Sequence, residues 1–158
     1  MILRKVVLFF TAVLVALTAG RAFWVWLGEN PANLSGATYV EFFQVLDRGI
    51  ALPIAVTGIG GAVLAGISAI LFRRDRPAFY LLLATCGLAL LATIVTISVH
   101  LPINARVATW NPTALPPNYR DFLDQWWKWQ QVRLVAMLAA MGLVFAAMLV
   151  RKESAQRS

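Results

Sequence analysis

The stretch AFYLLLATCGLALLATIVTISVHL, residues 78–101, runs for 24 residues without an Asp, Glu, Lys or Arg. A helix that crosses the hydrocarbon core of a bilayer needs about 20 such residues. Three further apolar stretches lie at about 6–27, 49–72 and 134–150, and only the first contains a charge, Arg21. Strands of membrane barrels are about ten residues long and alternate in polarity, which these stretches do not. The sequence therefore predicts an all-α integral membrane four-helix bundle, with residues 1–158 as a single domain.

The composition supports a membrane protein. Of 158 residues, 60% are hydrophobic and 13% are charged, against about 25% charged in soluble domains. The net charge of +7 does not indicate nucleic-acid binding, because the basic residues stand at the ends of apolar stretches, where they suit a bilayer surface. With one cysteine and one histidine, neither a disulfide framework nor a multi-histidine metal site is possible. We expect no metal and no cofactor.

The basic residues also predict the topology. Those before the first span, in the RRDR segment at 73–76 and after the fourth span give, with two acidic residues, a net charge of +6; the rest of the chain carries +1. By the positive-inside rule, both termini are cytoplasmic and the protein lies in the cytoplasmic membrane as a multi-pass protein. All six tryptophans then fall on the outer side. We favour a retained first span over a cleaved signal peptide, because the apolar stretch continues through FWVWL at 23–27.

Small residues recur every fourth position in the second span. Gly58, Ala62 and Gly66 form one such row, and a second row lies beside it at 61, 65 and 69. Small residues at this spacing let helices approach closely. The pattern indicates packing within the bundle, with a homo-oligomer interface as the alternative.

The third span ends in HLPINARVATW, residues 100–110. Pro102 lacks an N–H and disfavours a helical Leu101, so we expect the helix to end there. Asn104 would then satisfy carbonyl groups at the helix end. His100 is either an interfacial residue or part of a site.

The segment TYVEFFQVLDRG, 38–49, opens the second span. Glu41, Gln44 and Arg48 follow a spacing of i, i+3, i+7 and share one helical face. This face is either a solvated extension of the helix, or Glu41 faces the bundle and pairs with Arg21 or Arg133. Arg21 itself either reaches the interface, forms an ion pair or belongs to a site, because a charge inside a span is costly.

The segment WWKWQQVR, 126–133, precedes the fourth span and continues a predicted helix that starts near Asn118. Trp126, Trp129, Gln130 and Arg133 lie at i, i+3, i+4, i+7 and so share a face. Two indoles, an amide and a guanidinium suit a flat or anionic ligand, through stacking and hydrogen bonds. An interfacial aromatic belt explains the tryptophans equally well.

Three segments together resemble the anthrone oxygenase-like membrane proteins: TYVEFFQVLDRGIALP, LPINARVATW and WWKWQQVR. Their order, their spacing and the four-span layout agree over nearly the whole chain. The matching positions are Glu41, Gln44, Arg48, Pro53, Pro102, Asn104, Trp126, Trp129 and Arg133. The resemblance implies a membrane enzyme, since some members oxidise anthrones to anthraquinones, although most have no known activity.

Two hypotheses of function follow. The first is a cofactor-independent oxygenase acting on a lipophilic phenol or anthrone. Its base would be Glu41 or His100, and Arg133 would stabilise the substrate anion. The expected substrate-binding residues are Arg21, Gln44, Asn104, Trp126, Trp129 and Gln130. The second is a non-catalytic bundle that binds a lipid or quinone, or serves as an accessory subunit of a larger membrane complex.

Overall fold

The computed structural model describes the backbone of residues 2–156, and the side chains of these residues apart from 47–52, 55 and 151–156. The predicted helical class is confirmed: the described backbone contains helices and turns, and its only extended pairing is an isolated bridge between Asn111 and Ala114. Arg48, one of the family-like positions, lies outside the described side chains.

The described backbone, residues 2–156, forms five α-helices. Their bounds are Ile2–Gly28 (α1), Gly36–Leu71 (α2), Arg76–Val95 (α3), Leu101–Val107 (α4) and Tyr119–Gln156 (α5). A short 3₁₀ turn, Pro31–Asn33, links α1 to α2, and α2 is capped at its N-terminus by Ser35, whose side chain accepts from the Thr38 N–H. Asp75 caps α3 in the same way, and Pro77 stands in its first turn, where no N–H is needed.

The predicted helix end at Pro102 is wrong. A π-helical turn, Thr96–His100, joins α3 to α4, and Leu101 keeps helical backbone angles. The Leu101 N–H donates to the Thr96 carbonyl, five residues back. Pro102 falls in the first turn of α4, where the N–H it lacks has no intrahelical role. The wider turn therefore lets the chain pass the proline without leaving helical conformation, and π turns are frequent at functional sites.

The four long helices pack in a ring of contacts: α1 against α2 and α5, and α3 against α2 and α5. Their interior holds a first core cluster, consisting of Leu8, Ala12, Val15, Ala19, Ala69, Phe72, Ala78, Leu82, Ala92, Met137, Ala140, Val144 and Ala147. Alanines are prominent in it, so the helices approach closely. A second core cluster at the other end of the helices is built from larger side chains: Val25, Tyr39, Val40, Ile103, Val107, Leu123 and Trp126.

Apart from Gly58, the small-residue rows of α2 pack within the chain. Ala62, Ala65 and Ala69 are buried. A Cβ added at Gly61 would meet the Val15 backbone at 3.6 Å, and one at Gly66 would meet the Cys86 sulfur at 3.5 Å. Packing inside the chain therefore accounts for these positions.

Three helical segments of the described residues are long and apolar enough to cross a membrane: Ile2–Asn33, Arg76–Val107 and Tyr119–Val150. A shorter apolar helical segment, Val56–Leu71, lies within α2. The start of the predicted second span, 49–52, lies outside the described side chains. The described helices therefore have the length and composition of a membrane protein.

Candidate functional site

A cavity of about 150 Å³ lies between the helices, where the two core clusters meet. Ala92 and Met137 of the first cluster form part of its wall. Its lining residues are Thr18, Ile54, Gly58, Ile59, Ala89, Ala92, Thr93, Thr96, Ile97, Leu101, Asn104, Arg133 and Met137. Most of this wall is apolar, as in ordinary ligand pockets. On one side, Ile59, Ile97 and Leu101 are each more than half exposed, so the cavity opens towards an apolar helix surface.

The threonine hydroxyls of the cavity are already used as donors. Those of Thr18, Thr93 and Thr96 each donate to the carbonyl four residues back in their own helix. Each hydroxyl oxygen can therefore act towards the cavity only as a hydrogen-bond acceptor. Thr96, at the start of the π turn, accepts in this way from Arg133.

Arg133 is the charged residue of the cavity wall. Its Nη1 donates to Thr96 Oγ1 over 3.4 Å, while its buried Nε has no hydrogen-bond partner among the described residues. No described carboxylate lies within ion-pair distance of Arg133. An incompletely paired cation in an apolar cavity is costly, and such a residue inside a membrane span is a candidate binding residue.

The described ion pair joins Arg21 to Glu29, a residue that the sequence analysis did not consider. The guanidinium of Arg21 donates to both carboxylate oxygens, at 2.6 and 3.0 Å. Glu29 is 7% exposed. It lies two helical turns after Arg21, and this i, i+8 spacing was the available signal. The hypothesis that Glu41 pairs with Arg21 or Arg133 is wrong, because Glu41 is exposed and Arg21 has another partner.

The two arginines are therefore not equivalent. Both Arg21 and Glu29 lie within electrostatic range of Arg133. Because Glu29 is already bound in two hydrogen bonds by Arg21, it only partly compensates Arg133. The three groups together carry one excess positive charge beside the cavity, which favours an anionic ligand.

His100 and Trp126 lie behind the cavity wall, next to Asn104, which lines the cavity. The indole N–H of Trp126 donates to Asn104 Oδ1 over 2.9 Å. His100 is 2% exposed, its ring lies 4.9 Å from the Trp126 ring, and its Nε2 is 3.3 Å from the Trp126 carbonyl oxygen. A carbonyl only accepts, so Nε2 carries the proton in this hydrogen bond, and a neutral His100 then has its lone pair on Nδ1. Nδ1 is buried and has no partner among the described residues.

Asn104 thus has a different role from the one predicted. Its side-chain oxygen accepts the hydrogen bond that links α4 to α5 through Trp126. This bond is possible because the π turn keeps the chain helical past Pro102, so that Asn104 lies one turn after His100 on the cavity wall.

Gln130 lies between Trp126 and Arg133 on α5 and is fully buried. Its Nε2 donates to the Ala22 carbonyl of α1 over 2.9 Å, and its Oε1 has no partner among the described residues. Three polar atoms, one each on His100, Gln130 and Arg133, are therefore buried without a partner in this part of the molecule. Such atoms usually have a protein or water partner, so their grouping makes this region the candidate site.

Three predicted site residues lie apart from this group. Glu41 is exposed, and so is Trp129, at 37%. Gln44 donates through Nε2 to the carbonyls of Val107 and Trp110, at 3.1 and 2.9 Å, and so caps the end of α4. Arg21, His100, Asn104, Trp126, Gln130 and Arg133 are the predicted residues that the structure brings together.

Tyr39, which the sequence analysis did not select, lies near this group. It is 2% exposed and stacks on Phe43, with ring centroids 6.0 Å apart. Burial and, to a smaller extent, the negative charge of Glu29 raise the pKa of Tyr39 above its ordinary value. Tyr39 therefore stays neutral and is not a base at physiological pH.

The described residues contain no group of three or more His, Cys, Asp or Glu side chains placed to hold a metal ion. The groups near the cavity are instead a guanidinium, an imidazole, amides and hydroxyls. This set suits recognition of an oxygen anion and movement of a proton.

Comparison with known families decides the classification. The family described as anthrone oxygenase matches residues 42–143, about two thirds of the chain. The chain belongs to the anthrone oxygenase family. This confirms the resemblance drawn from the three segments, and the matched range contains His100, Asn104, Trp126, Gln130 and Arg133. The curated proteins give no match, and neither do the solved structures.

Proposed function

We propose that the protein oxidises a lipophilic phenol or anthrone with O₂, in the cavity beside Arg133 and without a cofactor. One observation carries the proposal: a half-buried arginine, whose buried Nε has no partner among the described residues, lies on the wall of a mostly apolar cavity in a member of the anthrone oxygenase family. An apolar wall accepts an aromatic ring. Because the charge of Arg133 is only partly compensated, the cavity favours a ring system in which an oxygen is ionised.

The size of the cavity limits how the substrate sits. An apolar cavity of about 150 Å³ in another protein binds benzene, so this cavity of about 150 Å³ encloses about one aromatic ring. A fused three-ring substrate would place its ionised oxygen and one ring inside, and the remainder would extend past Ile97 and Leu101 into the lipid.

The chemistry needs a base and a stabilised anion. His100 Nδ1 accepts a proton from the acidic methylene carbon, and Arg133 binds the oxygen of the resulting enolate. The carbanion passes an electron to O₂, and the two radicals combine to form a C–O bond. The peroxide then loses water. Overall the CH₂ group loses four electrons and becomes C=O, while O₂ gains four; one oxygen atom enters the product and the other leaves as water.

Oxygen uptake tests this function. Purified protein in nanodiscs with anthrone should consume O₂ faster than protein-free nanodiscs, and ¹⁸O₂ should give a product with one labelled oxygen. We expect Arg133→Ala to lower the rate by about 10²-fold or more, the typical loss on removing a donor to a developing oxyanion. Arg120→Ala, at an exposed arginine on the same helix, should keep the wild-type rate. Uptake no faster than in protein-free nanodiscs, or equal rates for the two variants, would refute the proposal.

A second candidate function is binding of a quinone or lipid without catalysis, alone or within a larger membrane complex. The opening of the cavity onto an apolar helix surface favours it. Retention of 1-hydroxyanthraquinone with no oxygen uptake would indicate this class.

For the topology, we propose a four-span bundle in the cytoplasmic membrane with both termini cytoplasmic, on the strength of the positive-inside distribution. In a Cys86→Ser background, a cysteine introduced as Thr113→Cys should react with a membrane-impermeant maleimide in intact cells. One introduced as Arg74→Cys should react only after lysis. Both native positions are exposed, so the opposite pattern would mean the reverse orientation.

A further inference from the structure

Gly58 is a glycine that the helix itself does not need. It lies inside α2, and none of the described glycines has a positive φ. Among the described residues, an added Cβ at Gly58 would find no neighbouring atom within 4 Å. Neither a turn nor a close helix contact therefore explains this glycine, in contrast to Gly61, where an added Cβ would meet the α1 backbone at 3.6 Å.

The empty space beside Gly58 belongs to the cavity. Gly87 and Gly142 also have open space around an added Cβ, but both are exposed on outer helix surfaces. Gly58 is half-buried and lines the cavity. The absent side chain at this position therefore leaves room inside the protein.

The same cavity carries a second, independent sign of a ligand. The buried Nε of Arg133 has no partner among the described residues, and Arg133 lines the wall together with Gly58. An aromatic ring whose oxygen is bound by Arg133 needs a flat, unobstructed space beside it. The cavity supplies that space where α2 presents Gly58.

We infer that Gly58 determines substrate specificity, by leaving room for the ring of a planar, fused aromatic compound with an ionisable oxygen. The inference rests on the proposed function for its substrate class. It makes a separate statement about binding: a side chain at position 58 excludes the ligand by volume, whatever chemistry follows.

Ligand affinity measured without turnover tests the inference. The probe is 1-hydroxyanthraquinone, which has no methylene group to oxidise, and its binding to protein in nanodiscs is followed by tryptophan fluorescence. We expect Gly58→Leu to weaken binding at least tenfold and Gly58→Ala to weaken it by a smaller factor. Gly142→Leu and Gly142→Ala should bind like the wild type.

Thermal stability controls for folding. Glycine inside a helix is less favourable than alanine, so Gly58→Ala and Gly142→Ala should each melt slightly above the wild type, while only Gly58→Ala loses affinity. If Gly58→Leu does not fold, the alanine pair still decides the question.

The outcomes separate this inference from the proposed function. Wild-type binding that weakens at position 58 and not at 142, without oxygen uptake from anthrone, would support the specificity role and reject the oxygenase. Equal affinity in the Gly58 and Gly142 variants would overturn the specificity role even if the protein oxidises anthrone. A wild type that does not bind the probe would overturn it as well.

Discussion

The two core clusters share α1, α2 and α5 but use them in opposite ways; the first cluster adds α3, and the second adds α4. Next to the first cluster, the buried Thr11 and Ser68 form a 2.9 Å hydrogen bond between α1 and α2, and the buried Thr85 bonds within its own helix. The small side chains of this cluster bring the helices together. The second cluster contains larger side chains, and the polar residues next to it, His100 and Gln130, keep buried atoms without partners among the described residues.

The difference separates packing from function within one bundle. A membrane helix gains little hydrophobic energy from leaving lipid, so stability requires close packing and satisfied polar groups. The first cluster meets both requirements. The region around the cavity does not, and residues that stay costly inside a membrane are candidates for binding and chemistry. We therefore expect substitutions there to change activity more than stability, and substitutions in the first cluster to do the reverse.

The largest effect should be a loss of turnover when the proposed base, His100, is replaced. His100→Gln keeps an N–H for the Trp126 carbonyl but has no imidazole lone pair. Turnover should fall by about 10² to 10⁴-fold, the usual contribution of a general base, while 1-hydroxyanthraquinone binding stays within about threefold. Oxygen uptake and probe fluorescence measure the two effects.

Glu41→Gln is the matched test of the other predicted base. Glu41 is exposed, so we expect this variant to turn over like the wild type. A loss in Glu41→Gln combined with normal turnover in His100→Gln would move the base to Glu41 and with it the site to the protein surface.

The next largest effect should be a loss of stability when the ion pair near the cavity is broken. Glu29→Gln leaves Arg21 unpaired beside Arg133. Breaking a buried pair costs about 3–5 kcal/mol; since the Arg21 side chain is 26% exposed, solvent screening lowers the expected loss to about 1–3 kcal/mol. The midpoint of thermal unfolding in detergent should fall clearly below that of Glu41→Gln, which alters an exposed carboxylate.

A double variant sharpens this test. Arg21→Gln combined with Glu29→Gln removes both charges and should recover part of the stability lost in Glu29→Gln. If the double variant is less stable than either single variant, the two residues act through separate contacts, and the account of the ion pair given above is wrong.

The sequence predicted the helices well and the turns poorly, for a physical reason. An apolar stretch of about 20 residues has few alternatives to a helix in lipid, so the long helices could be expected from composition. Pro102 was judged by the local rule that a proline ends a helix. The rule failed because the preceding π turn places Pro102 in a first helical turn. Propensity at one residue does not reveal such a turn.

The part of the site on α5 was predicted from four residues that share one face of the helix, and such a face covers a wide range of angles. At 100° per residue, Gln130 and Arg133 lie within about 40° of Trp126, whereas Trp129 lies about 60° away. This offset leaves Trp129 exposed while the other three face the interior. Glu29 was missed because it follows the predicted first span, which ends at about residue 27, although the Glu29 N–H still bonds to the Val25 carbonyl.

A smaller effect on stability is expected at Gly36, where α2 begins next to the second core cluster. A Cβ added at Gly36 would lie 2.6 Å from Leu115 Cδ1 and 2.7 Å from Tyr119 Cε2. Gly36→Ala should therefore destabilise by about 1–2 kcal/mol, as overpacking does. Gly142→Ala, with open space, should have the opposite sign. Thermal unfolding of the two variants side by side gives the comparison, and a gain in stability for both would show that this contact relaxes freely.

The smallest effect on stability should come from the hydrogen bond between Thr11 and Ser68, which lies next to the first core cluster. Interhelical hydrogen bonds in membranes contribute about 0.6 kcal/mol on average. A double-mutant cycle of Thr11→Val and Ser68→Ala should give a coupling energy near that value, with turnover unchanged. Thr85→Val with Ser68→Ala is the control cycle, since the Thr85 hydroxyl bonds only to the Leu81 carbonyl of its own helix, and its coupling should be near zero. A coupling well above 1 kcal/mol, or a loss of turnover, would mean that polar groups in the first cluster also support the site, and the division between a packing end and a functional end would not hold.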